Sequence, residues 1–218
     1  ARQSKLMHDW PIRHINYPLD LDAWTPIDKP LARKIMNLPQ DKLLIAFGAM
    51  EGVSDERKGF DLLLDALQYI KNENRLNDVE VLIFGQLAPK IPLNIGVPIH
   101  FTGHLHDDIS LRMVYSAANV MVVPSRLEAF GQTASEALAC GTPVVAFNNS
   151  GLTDIVDHKS NGYLAKAFDC NDLAAGILWV IKNDNPEILS INSRNSAVAK
   201  FSYKHIAKKY LEIYSMLI

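Results

Sequence analysis

From Leu43 onward the chain alternates short, uniformly apolar runs with longer segments in which apolar residues recur every three or four positions. Leu43-Leu-Ile-Ala-Phe47 is such a run, closed by Gly48, and predicts a strand buried on both faces of a parallel sheet. Phe60, Leu63, Leu64, Leu67 and Ile70 then follow at helical spacing, predicting a helix packed back on that sheet. The alternation repeats: strands over Val79–Phe84, Ile99–Thr102, Val120–Val123 and Pro143–Phe147, with helices over Leu111–Ala118 and Thr133–Ala139. Before it, Asn16 to Trp24 reads as an extended entry with a turn, followed by a short helix over Leu31–Met36. The final third reads as helical, over Asp169–Lys182, Pro186–Ala199 and Tyr203–Met216, with Trp179, Tyr210 and Tyr214 expected in the core.

Strands that alternate with helices and end at Gly or Pro imply an α/β fold with a doubly wound, Rossmann-like parallel sheet and a helical C-terminal segment. Ligands of such sheets sit beyond the carboxyl ends of the strands. The loops after Gly48, Gly85, Gly103 and Pro124 are therefore the places to look for function. One domain over residues 16–218 is expected, with residues 1–15 disordered or an interdomain segment.

Composition narrows the classes without choosing among them. A formal net charge of −2 over 218 residues gives no reason to expect nucleic acid as a partner. No apolar run approaches the roughly 18 to 20 residues that span a bilayer, so any membrane association is expected to be peripheral and the location cytoplasmic. The two cysteines, Cys140 and Cys170, have no short-spaced partner and read as reduced thiols.

The chemistry concentrates in Pro124-Ser-Arg-Leu-Glu-Ala-Phe-Gly-Gln-Thr-Ala-Ser-Glu-Ala-Leu-Ala-Cys-Gly-Thr-Pro143. Here a strand ends, a loop carries Glu128, Gly131 lets the backbone turn, and a helix begins near Gln132. The free N–H groups of its first turn form an anion site suited to phosphate. Glu136 lies within about 8 Å of the helix start at 1.5 Å per residue, where a carboxylate suits a vicinal diol such as a ribose. Glu128 would reach a second polyol. The simpler reading, that a Glu near a helix N-terminus only complements the macrodipole, stands beside this one.

This string resembles the signature of family-4 retaining glycosyltransferases, a GT-B-fold group with many bacterial polysaccharide enzymes, in which two Glu flank seven residues in a Pro-Ser-x-x-Glu-x-Phe-Gly context. Asn16-Tyr-Pro-Leu-Asp20 is similar to the segment that opens the family's C-terminal domain, Arg57-Lys-Gly-Phe60 resembles its basic Lys-Gly motif, and Phe101-Thr-Gly-His-Leu105 and Ser116-Ala-Ala-Asn-Val120 follow in order. The resemblance implies the C-terminal, donor-binding half of a GT-B enzyme. Glu136 would hold the ribose and Glu128 the donor sugar. Phe130, Gly131 and Gln132 would present N–H groups to sugar and diphosphate. Lys58, with Arg57, would neutralise the diphosphate without a metal, and the loops at Gly85 and at His104 would pack around the base. The donor would be a UDP- or GDP-type nucleotide sugar and no other cofactor is expected. The sugar or lipid-linked acceptor would be bound by an absent N-terminal domain, without which this half would be inactive.

Two positions depart from that pattern. The Arg expected after the first strand's Gly is Ala49 or Met50 here, and the usual Ala-Asp before the fourth strand is Ala118-Asn119, which reads as neutral. His104-Leu-His106 lacks a third ligand for a metal, and Ser125 and Cys140 assemble no nucleophile triad. A non-catalytic nucleotide-sugar-binding or assembly module is the alternative reading. Another GT-B enzyme such as a sugar-nucleotide epimerase is disfavoured by the Glu pair.

Overall fold

A computed structural model describes residues 4–48, 55–72, 78–89 and 95–216; Ala49 and Met50, and with them the departure noted there, lie outside the described residues. Six strands form one parallel sheet: β1 (Leu43–Gly48), β2 (Val79–Phe84), β3 (Ile99–Phe101), β4 (Val120–Val123), β5 (Val144–Phe147) and β6 (Gly162–Ala165), in the order β3-β2-β1-β4-β5-β6. The helices are α1 (Lys29–Ile35), α2 (Phe60–Asn72), α3 (Asp108–Ala117), α4 (Gln132–Ala139), α5 (Cys170–Ile181), α6 (Pro186–Phe201) and α7 (Tyr203–Ser215).

The uniform apolar runs are explained by two cores, one on each face of the sheet. Leu44, Ala46, Leu82, Phe84, Met121, Val123, Val144 and Ala146 point to the face covered by α1, α3, α4 and the end of α6. Their neighbours Ile45, Phe47, Val81, Ile83, Val120, Val122, Val145 and Phe147 point to the other, covered by α2 and α5. Successive side chains of a strand face opposite ways, so a strand covered on both faces has no polar position to alternate with.

The expected elements over residues 29–147 are all present, with ends shifted by up to three residues. The final third holds one further strand. Gly162-Tyr-Leu-Ala165, between the last expected strand and the first late helix and assigned to no element from sequence, is β6, paired in parallel with β5 from Val144↔Gly162 to Phe147↔Ala165. Gly162 is required there, since a Cβ would lie 1.9 Å from the Val144 carbonyl oxygen. The late aromatics also need correction. Trp179 is partly buried against the second core, but Tyr210 and Tyr214 are exposed. They lie on α7, which buries only Ile206. Helical spacing marks the apolar side of a helix but does not say whether that side is covered. No helix among the described residues is long and apolar enough to cross a membrane.

Asn119 shows why an amide substitutes for a carboxylate at that position. Its Oδ1 accepts from the Leu44 N–H (2.8 Å) and from Nη2 of Arg33 (2.7 Å), joining β1, β4 and α1. Arg33 is buried, and its remaining bonds go to the carbonyls of Ala117, Pro39, Gln40 and Lys42. Asp would keep both acceptor contacts and Ala neither. Asn119→Ala is expected to cost about 2 kcal/mol, with Asn119→Asp within about 1 kcal/mol of the parent, in urea melts at pH 7.

Candidate functional site

The strand order reverses between β1 and β4: the chain leaves β1 toward β2 and β3 on one side and leaves β4 toward β5 and β6 on the other. The loops at the two carboxyl ends therefore diverge, opening the crevice in which such sheets bind ligands. A cavity of about 660 Å³ lies there.

The loop after β1 enters a 3-10 turn, Glu56–Lys58, whose N-cap Asp55 accepts from the Arg57 N–H. Gly59 ends it at φ 69°, in left-handed backbone that favours glycine. A Cβ there would stand 2.0 Å from the Pro124 carbonyl oxygen, so only glycine lets this loop touch the one leaving β4. The seam is closed by the Arg126 N–H donating to the Arg57 carbonyl (2.8 Å) and by the Arg126 guanidinium on Asp61 and on the Glu56 carbonyl.

This contact brings Lys58 to Glu128. Lys58 Nζ donates to Glu128 Oε1 at 2.7 Å, and Ser125 Oγ donates to the same oxygen at 3.0 Å. The Glu128 backbone is fixed as well, its N–H on Ser150 Oγ and its carbonyl accepting from Gly151. Arg57 lines the same cavity, with Nε and Nη2 on the two carboxylate oxygens of Asp55 at 3.0 and 2.9 Å. That pairing holds the Asp55 carboxyl below its usual range.

Gly131, at φ 96°, turns the chain into α4. Asp28, Asp107, Asp169 and Ser202 cap α1, α3, α5 and α7 with side-chain oxygens, whereas no side chain caps α4. Gln132 and Thr133, its first two residues, line the cavity. Unsatisfied N–H groups at a helix start attract anions. Phe130 points elsewhere: its ring meets Tyr17 and Phe201 edge-on at 5.3 and 5.7 Å and is no part of the cavity wall. Gly131 is likewise not among the lining residues, and a Cβ on it would meet Leu152 at 2.7 Å; both residues were expected to act through backbone N–H groups, on which these side-chain positions do not bear.

One turn into α4, Glu136 is only 5 % exposed yet reaches the cavity. Oε2 accepts from the Tyr115 hydroxyl at 2.8 Å and Oε1 from the Gln132 amide at 2.9 Å. Burial pushes its pKa up to about 7, against the opposite pull of these two donors. The far wall carries Phe84, Gly85, His104, Leu105 and Leu111. Gly85, at φ 89°, donates to the Gly103 carbonyl at 2.9 Å, and the His104 and His106 rings lie nearly parallel, 6.4 Å apart.

Seven of the nine residues expected from sequence thus line one cavity: Arg57, Lys58, Gly85, His104, Glu128, Gln132 and Glu136. The structure adds Asp55, Tyr115, Ser125 and Thr133. Ser125 stood inside the quoted motif, and its part as a donor to Glu128 was readable there as proximity alone. Tyr115 gave no signal, because a helix pattern does not say which neighbour its hydroxyl meets.

A family model described as glycosyl transferases group 1 matches residues 41–183, which contain every one of these side chains. The chain belongs to that family. It is 35% identical to D-inositol 3-phosphate glycosyltransferase of Mycolicibacterium smegmatis over 211 residues, covering 90% of this chain and 45% of that protein. Sucrose-phosphate synthase of Thermosynechococcus elongatus superposes with a TM-score of 0.76 at 31% identity, over 94% of this chain and 52% of that one. HepE of Anabaena, solved with UDP and glucose, superposes at 0.72 and 20% identity, over 91% of this chain and 55% of its own, and shows the same GT-B fold. The chain spans about half the length of the relatives it matches.

A buried carboxyl with a raised pKa holds its proton more tightly folded than unfolded. Glu136 therefore costs no stability below the unfolded value of about 4.5, and its cost grows as pH rises toward about 7. Glu136→Gln is expected to flatten the decline in stability between pH 5 and 8, gaining about 2 kcal/mol at pH 8. Urea melts across that range check it; an unchanged decline in the variant would assign the titration to another group.

Proposed function

We propose that this chain is the donor-binding half of a retaining glycosyltransferase that uses a nucleoside diphosphate sugar, in cell-surface polysaccharide synthesis. The observation that carries the reading is the convergence of Lys58, Glu128, Glu136 and the uncapped start of α4 on one cavity at the β1/β4 crevice. A relative of the same fold solved with UDP and glucose supports it.

In this reading Glu136 accepts from the ribose diol. Tyr115 and Gln132 occupy one lone pair on each of its oxygens and fix the plane of the carboxylate, leaving further acceptor sites for the ligand. The N–H groups at the start of α4 face the diphosphate, to which Lys58 brings positive charge. Glu128 Oε2 has no protein donor among the described residues and accepts from the sugar hydroxyls. As the anomeric C–O bond breaks, its electron pair moves to the terminal phosphate oxygen, and Lys58 with the helix start stabilises the charge that develops there. Glu128 is occupied by Lys58 and Ser125 and acts by binding, not as a nucleophile. The acceptor is bound by a second α/β half, and this half alone does not turn over. The nucleobase lies against Gly85 and the His104–Leu105 loop.

Calorimetric titration with UDP, GDP and ADP tests this reading. One of them is expected to bind at micromolar to millimolar strength, with Glu136→Ala and Lys58→Ala each weakening it by about tenfold or more. No binding by the full protein to any of the three would sink the donor-site reading and leave the non-catalytic assembly module.

A further inference from the structure

Lys58 is the cation the proposed site relies on, and its charge is already committed. Its Nζ lies 2.7 Å from Glu128 Oε1. The other cations of the loop seam are similarly engaged, Arg57 with Asp55 and Arg126 with Asp61. Glu128 is held on both sides of its backbone and by Ser125, and its side chain is only 14% exposed, so it has little freedom to swing away. A phosphate arriving at Lys58 therefore meets a cation that a fixed carboxylate already neutralises.

Two ligands fare differently there. A nucleoside diphosphate sugar has its terminal phosphate esterified, and it offers Glu128 hydroxyl donors for the oxygen that Lys58 and Ser125 leave open. The bare nucleoside diphosphate offers no donor, and its terminal phosphate carries a second ionisation with a pKa of about 6, hence nearly one further negative charge at neutral pH. That charge falls where the sugar was attached, beside Glu128. Among the described residues it can be matched there only by Lys58, whose charge Glu128 already holds at 2.7 Å.

We propose that Glu128 and the ligand's terminal phosphate compete for Lys58, so that the site holds a nucleoside diphosphate sugar in preference to the bare nucleoside diphosphate released by transfer. The inference rests on the donor-site reading and assigns Glu128 a second role. It binds the sugar while the sugar is present and takes Lys58 back once it has gone, which favours release of the spent nucleotide. A carboxylate that served only to bind sugar would be indifferent to the bare nucleotide.

The test is a double-mutant cycle on the full protein, read by calorimetry with UDP (or GDP or ADP, whichever the first titrations select), the matching monophosphate and the matching glucose diphosphate ester. Glu128→Gln is expected to tighten the bare diphosphate by about tenfold, because Lys58 is freed, while the monophosphate and the glucose ester gain no more than about twofold. In a Lys58→Met background the gain from Glu128→Gln is expected to vanish, since there is no cation left to release. The double variant is neutral and close in shape to the native pair, so it keeps the cycle readable even if Lys58→Met alone lowers stability. An unchanged affinity for the diphosphate in Glu128→Gln would overturn the proposal. So would an equal gain with and without Lys58, which would make Glu128 a source of plain repulsion. If the parent protein binds no nucleotide, the donor-site reading fails first, and that result is distinct from both.

Discussion

The site depends on a backbone contact between two loops that are far apart in sequence. Gly59 meets the Pro124 carbonyl so closely that a Cβ would stand 2.0 Å from it, and the Arg57 carbonyl takes the Arg126 N–H beside it. The sheet makes this approach available by placing β1 next to β4, and glycine in left-handed backbone makes it sterically possible. Any side chain at position 59 would push the two loops apart and draw Lys58 away from Glu128. The Lys-Gly pair is thus one unit, in which the glycine sets the distance and the lysine supplies the charge.

Around that seam the molecule handles buried polar groups in two ways. Arg33 is inside the fold, and its guanidinium is spent on four carbonyls and the Asn119 amide oxygen. It ties α1 to the sheet and has nothing to offer a ligand. Glu136 is as deeply placed but has one donor on each oxygen, faces a cavity, and has its pKa pushed up to about 7 by burial. A carboxylate kept at a cost to stability and left with unused acceptor sites is a group held ready for a ligand. The number of bonds still open, more than burial itself, separates the structural charge of Arg33 from the ligand-binding role proposed for Glu136.

Much of this could be read from the chain because parallel sheets write themselves plainly. Strands covered on both faces are uniform apolar runs, and Gly48, Gly85 and Pro124 mark where they stop. The motif from Pro124 to Pro143 likewise carries three of the seven cavity residues expected from sequence, Glu128, Gln132 and Glu136, because the strand-loop-helix unit that holds them is local. What escaped was non-local or too short to have a period. β6 is four residues beginning with glycine, and it becomes a strand only by pairing with β5. Tyr115 became a site residue because α3 packs beside α4 and brings its hydroxyl to Glu136. Tyr210 and Tyr214 share the spacing of buried aromatics, yet nothing among the described residues covers them. Local pattern specifies an element's faces, and only the assembled fold decides which faces are used.

The arrangement along α4 gives the proposed ligand a direction. Gln132 opens the helix, but its side chain turns inward to Glu136 rather than capping the helix start. One residue thereby does two things: it orients the carboxylate one turn deeper, and it leaves the first-turn N–H groups available. Glu128 stands on the opposite side of that start, in the loop before it, with Lys58 pressed against it. Reading outward from Glu136, the protein presents an acceptor pair, then a cluster of N–H groups, then a cation shared with a second carboxylate. A nucleoside diphosphate sugar presents a diol, then two phosphates, then a polyol in the same order. A ligand with no second polyol would give Glu128 no hydroxyl donor and set its phosphate against that carboxylate for Lys58. The match is to the sequence of groups along the ligand and not to any one of them, and it is why the separation of the two glutamates on one rigid strand-loop-helix unit carries more information than either residue alone.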